Sequence, residues 1–144
     1  MSAISLVQAE QVVKAALRAA RERKISDAVV VVDAGGHIKY AVREDGAGLG
    51  GVDIAAGKAR SAIMFGCSSR QIADGLSGNP QAFQSVLAVF PGRIVLLPGA
   101  VLLTASDGTV LGAVGAAGGP PDEDEAISKA GAAALAAAGS SKGA

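Results

Sequence analysis

Two groups of residues in this chain have the side-chain types for chemistry. One is Lys58, set in the apolar stretch Val52 to Cys67. The other is the acidic run Asp122-Glu123-Asp124-Glu125, directly after Pro120-Pro121. A lysine withdrawn from water loses basicity, because burial disfavours its charged form. It can then pair with a carboxylate ligand, act as a base or form a Schiff base. Asp124 or Glu125 facing such a lysine would be a general base, with Lys58 as the electrophilic or oxyanion partner. Each group also has a plain structural reading. A lysine snorkels from an interface, and acids in a first helical turn suit the helix dipole.

A third group is backbone. Gly46-Ala47-Gly48-Leu49-Gly50-Gly51 contains G-x-G-x-x-G at Gly46, Gly48 and Gly51. A dinucleotide-binding fingerprint needs a parallel strand–helix–strand unit with an acidic residue about 20 positions on. The strand before this loop is the return arm of a hairpin, so that reading fails. What survives is a flexible backbone feeding free N–H groups into a helix start, which can hold an anion. We expect an anionic small molecule between Arg43, Lys58 and the donors of Gly48, Gly50 and Gly51. Gly115 and Gly118, from a second glycine loop over 115–119, would close the site.

Metal and nucleic acid are not expected. His37 is the single histidine and follows the Gly35-Gly36 turn, so no multi-histidine site can form. Met64 and Cys67 read as helix packing. Lys plus Arg equals Asp plus Glu, 13 each, with no basic stripe for phosphates. The one cysteine, Cys67, forms no internal disulfide and fits a reducing compartment. Met1 to Lys24 carries Glu10, Lys14 and Arg18 among its apolar residues. It is neither a signal peptide nor a membrane span, so the expected setting is the cytoplasm, with no membrane partner.

The elements that must position these residues follow from period and punctuation. Ser5 and Gln8 form a capping box for a helix to about Arg23. Leu6, Ala9, Val13, Ala16, Leu17 and Ala20 share its apolar face. Ala28 to Val32 is a β-branched run suited to a strand buried on both faces. Gly35-Gly36 is expected to supply the positive φ angles of a two-residue hairpin turn into Ile38 to Val42. Val52 to Cys67 is a helix, and Ser68 to Gln84 is loop and short helix. Strands are expected at Ile94 to Leu97 and Ala100 to Ala105, with Asp107-Gly108 turning into Thr109 to Val114. Pro121 opens a last helix to about Ala138, and 139–144 reads as a disordered tail. This order argues for one antiparallel sheet with helices packed on it, in a single α+β domain over 1–144. A chain of this length buries roughly 68–70% of its unfolded surface. Half of it is apolar, but mostly as Ala and Val, with four aromatic residues, Tyr40, Phe65, Phe83 and Phe90.

Five segments occur in order: Val32-Asp33-Ala34-Gly35-Gly36, Arg43-Glu44-Asp45-Gly46-Ala47, Gly57-Lys58-Ala59-Arg60-Ser61-Ala62, Gly112-Ala113-Val114-Gly115 and Asp122-Glu123-Asp124-Glu125-Ala126. Together they resemble the GlcG/HbpS family over about Ile4 to Ala138. The resemblance implies a profilin-like α+β fold, an antiparallel sheet flanked by helices, and homo-oligomers. Some members bind haem, and a related domain is fused to corrinoid adenosyltransferases. No cofactor is required by the residues themselves; haem is the one the resemblance implies. Its iron usually takes His, Cys, Met or Tyr, which leaves His37, Cys67, Met64 and Tyr40.

The expected function is therefore an oligomeric binding protein for an anionic small molecule, a haem-type tetrapyrrole or a small carboxylate. The alternative is a metal-independent isomerase or lyase acting on a small organic acid, with Lys58 and Asp124 or Glu125 as catalytic groups. Assembly is expected from the helix Val52 to Cys67. It is apolar on a second flank bearing Ile54 and Phe65, with Lys58 between them. That flank should meet a partner subunit or the Phe83–Phe90 segment.

Overall fold

The computed structural model describes residues 3–143, with side chains through residue 137. The chain runs α1 (Leu6–Glu22), β1 (Ala28–Asp33), β2 (Ile38–Arg43), α2 (Gly51–Phe65), α3 (Ser69–Leu76), α4 (Pro80–Val89), β3 (Ala100–Thr104), β4 (Val110–Ala117) and α5 (Pro121–Gly143). The strands form one antiparallel sheet in the order β2-β1-β4-β3. This is the expected α+β architecture. The tail expected from Gly139 onward lies outside the residues whose side chains are described.

Three layers result. Val29 and Val31 point to one face of the sheet, where Ala9, Val12, Val13 and Ala16 of α1 and Ile127 of α5 pack. Val30 and Val32 point to the other, against Ala55, Ala56, Ala59 and Ala62 of α2. Alternation of side chains along a strand explains why one run of four valines serves two cores. The helix face of α1 is rotated from expectation at its start. Val12 and Ala19 are buried, whereas Leu6 is exposed. Ser5 and Gln8 do form the reciprocal cap.

Two expectations are corrected. Ile94 to Leu97 is not a strand. Ile94 and Leu96 instead join Ile72 in a small separate core beneath α3 and α4, with Phe83, Leu87 and Phe90 around it. Alternating apolar residues satisfy a loop over a satellite core as well as they satisfy a strand. Gly115 is not in a loop. It lies within β4, opposite Val30 and Ala100, and a side chain there would strike the Ala55 carbonyl of α2. This glycine lets helix and sheet backbones approach.

Candidate functional site

Lys58 is the best-buried charged residue of α2, at 2% exposure. It does not lie on the outer flank with Ile54 and Phe65, both exposed. It sits on the boundary between that flank and the core stripe and reaches across the end of β4. Its Nζ donates to the Ala116 carbonyl at 3.0 Å and to Asp124 Oδ2 at 3.1 Å. Gly99, with φ +140°, makes room: a side chain there would come 2.7 Å from Nζ.

Asp124 lies in the first turn of α5 at 1% exposure. Its second oxygen, Oδ1, accepts from the Gly119 N–H at 3.0 Å. The acidic run therefore divides by direction. Asp124 points inward, while Asp122 and Glu125 face α3, where Arg70 pairs with both; its Nε donates to Glu125 at 2.8 Å. Glu123 pairs with Arg23 at 2.8 Å. Of the two candidate bases, Asp124 meets Lys58 and Glu125 does not.

A third charge belongs to this cluster and was not read from the sequence. Asp27, just before β1, is fully buried, and neither carboxylate oxygen has a hydrogen-bond donor among the described residues. Burial, and then the adjacent Asp124 carboxylate, push its pKa up from 3.8 to about 7, against a smaller opposing pull from Lys58. A lone acid at a strand start normally reads as solvated, so nothing in its neighbours signalled burial.

Arg43 and the glycines of the loop before α2 do not converge with Lys58. Arg43 turns into its own loop, its Nη1 donating to the Ala47 carbonyl at 3.2 Å. Gly48 and Gly50 are exposed in the loop before α2, and Gly51 is buried against Ala28. Gly118, with φ +149°, instead closes over Asp27, whose Oδ1 leaves no room for a side chain. Lys58 and the glycine-loop donors are thus parts of different surroundings, because Lys58 is committed to Asp124.

A groove of about 350 Å³ lies elsewhere, between α1 and β2. Val13, Leu17 and Val42 give it apolar walls, and Glu10, Lys14, Arg21 and Tyr40 supply polar groups. Arg21 also pairs with Glu44 at 2.9 Å. Lys14 and Arg21 are exposed on α1, and helical periodicity gives no means of seeing that β2 brings Tyr40 beneath them. Of the four haem-ligand types, Tyr40 alone lines this groove. His37 stands at a turn with its side chain 81% exposed, Met64 is exposed, and Cys67 borders the satellite core. No group of three or more metal-ligating side chains occurs among the described residues, and no described helix is long and apolar enough to cross a membrane.

The model of a family described as haem degrading protein HbpS-like matches residues 4–133. Among solved structures, a double mutant of HbpS from Streptomyces reticuli is 32% identical, with a TM-score of 0.82, covering 94% of this chain and 88% of its own. Protein ORFY of Klebsiella pneumoniae is 26% identical, with a TM-score of 0.87 over 95% and 93%. A PduOC:haem complex, 24% identical with a TM-score of 0.82 over 92% and 94%, shares the fold. A comparison with functionally curated protein sequences returns no significant match.

Proposed function

This chain belongs to the HbpS-like family, and on that premise we propose that it is a binding protein for an anionic, haem-type small molecule held between α1 and β2. The observation that carries the reading is the groove itself. Its volume falls within the roughly 300–1,000 Å³ of small-molecule sites, which combine apolar walls with a few convergent polar groups. Val13, Leu17 and Val42 would cover the flat apolar body of a tetrapyrrole. Lys14 would meet its carboxylates, with Arg21 shared between the ligand and Glu44, and Glu10 would face the uncharged part of the ligand. Tyr40 is one of the side chains that ligate haem iron. These are side-chain types that a haem-type ligand uses. Bound haem would supply iron-centred redox chemistry, while this chain's part is to bind, orient and shield it. A homo-oligomer in the cytoplasm completes the proposal. The exposed apolar residues and the unpaired Cys67 support those two elements respectively.

Titration calorimetry against haem and against small carboxylates tests the site. Wild type should take up haem with one-to-one stoichiometry. Lys14→Ala should weaken binding by roughly fivefold, the scale of an exposed ion pair near 1 kcal/mol. Unaltered affinity in a Lys14→Ala/Arg21→Ala variant would remove the groove from the account.

One observation favours the alternative, an isomerase or lyase: Lys58 and Asp124 do converge, at 3.1 Å. In that reading Asp124 is the base and Lys58 the electrophilic partner. Both are buried, Lys58 against Gly99 and Asp124 under Gly119, so a substrate would reach them only if these turns opened. Turnover of a small 2-oxo or hydroxy acid, abolished by Asp124→Asn, would establish this reading; solvent-proton exchange no faster than buffer would exclude it.

A further inference from the structure

The buried cluster joins three elements that, among the described residues, meet nowhere else through side-chain charge: Asp27 directly before β1, Lys58 from α2 and Asp124 from α5. Lys58 donates to Asp124 and to the Ala116 carbonyl, and no bond from it reaches Asp27. Asp124 has a donor on each oxygen, Lys58 on one and Gly119 N–H on the other. Asp27 has none. Among the described residues no other charged side chain bonds to either carboxylate. The backbone N–H of Glu44 bonds the Asp27 carbonyl at 3.0 Å, and the Glu44 side chain is taken up by Arg21. The strands and the 118–119 turn contribute backbone alone.

With all three groups ionised the cluster holds two negative charges against one positive. A fully buried carboxylate without a donor is strongly unfavourable. Protonation removes both faults together: it neutralises the cluster and turns Asp27, whose Oδ1 lies under Gly118, into a donor toward Asp124, whose Oδ1 lies under the adjacent Gly119. This is the arrangement of paired carboxylates that titrate as a unit.

We infer that Asp27 and Asp124 hold one proton between them and that the cluster is a pH-controlled latch. With the proton in place, β1, α2 and the first turn of α5 are fastened together under the 118–119 turn. Without it, two carboxylates repel beneath Gly118, which is packed directly on Asp27, and the turn loosens. The raised Asp27 pKa, about 7, places the change at neutral pH. The sign follows from the direction of the shift. A carboxyl raised from 3.8 holds its proton in the folded chain where the unfolded chain has lost it. Stability is therefore full below about pH 4 as regards this group, falls as pH rises through about 7, and is level above that.

Carboxyl-carbon NMR titration of the wild-type protein tests the latch. The Asp27 carboxyl should titrate near pH 7, and the Gly119 amide, which donates to Asp124, should shift with the same midpoint. Asp27→Asn supplies a neutral donor at every pH. In it the Gly119 amide should stay at its low-pH position, and Tm should lose its fall between pH 5 and 8. An Asp27 midpoint below 5, a Gly119 amide that does not move, or an unchanged Tm profile in Asp27→Asn would each overturn the proposal. Should Asp27→Asn fail to fold, the two wild-type titrations alone decide it.

Discussion

Single side chains carry most of the electrostatic consequence in this protein, and Lys58 is the clearest case. Replacing it with Met keeps the aliphatic bulk but leaves Asp124 and Asp27 buried without a cation. Removing one partner of a buried pair costs about 3–5 kcal/mol, so urea denaturation at pH 8 should show a loss of that order for Lys58→Met. The loss should shrink toward pH 5, because protonation of the carboxylates removes the uncompensated charge. A loss independent of pH would mean that Lys58 contributes packing and not charge. Gly118→Ala makes a complementary prediction. Its φ of +149° and its contact with Asp27 oppose any side chain. It should be destabilising by about 1–3 kcal/mol, the scale of overpacking and backbone strain, read as a drop in Tm.

At the scale of elements, Gly115 sets the distance between α2 and β4. Gly115→Ala should cost about 1–3 kcal/mol in the same assay, since the Ala55 backbone cannot step aside as a side chain can. The elements themselves were largely readable. The Ser5–Gln8 cap, the valine run and Pro121 each act through neighbours in sequence, and each stands where local chemistry put it. The hairpin forms where expected, but its turn is three residues, Ala34 to Gly36, closed by Asp33 and His37, and Gly36 alone has a positive φ. Ile94 to Leu97 was misread because its partner is a satellite core made by α3 and α4, and no local signal separates that from a strand. The site was readable only in part for the same reason. Lys58 could be singled out by its apolar surroundings on a helix. That it turns inward to Asp124 depends on how α2 crosses β4. Asp27 becomes notable only once β1 is laid beside α5, and Tyr40 is separated from the other candidate haem ligands only once β2 is laid beside α1.

At the scale of the molecule, surface and groove bear on what the protein meets. Phe65 packs edge-on against Phe90 at 6.4 Å, so the Phe83–Phe90 segment covers part of the apolar flank of α2, yet Phe65 remains 42% exposed. Ile54, Met64, Val89 and Leu97 are exposed as well. Light scattering should therefore give a mass that is a multiple of the 14.0 kDa chain, and Phe65→Asp should lower it or unfold the protein. A wild-type monomer at micromolar concentration would contradict self-association. The central claim is haem-type binding between α1 and β2, and absorbance during haem titration tests it most directly. The account predicts a saturable shift of the Soret band at one haem per chain, with altered visible bands in Tyr40→Phe. A spectrum that remains that of free haem throughout the titration, or one identical in wild type and Tyr40→Phe, would contradict it.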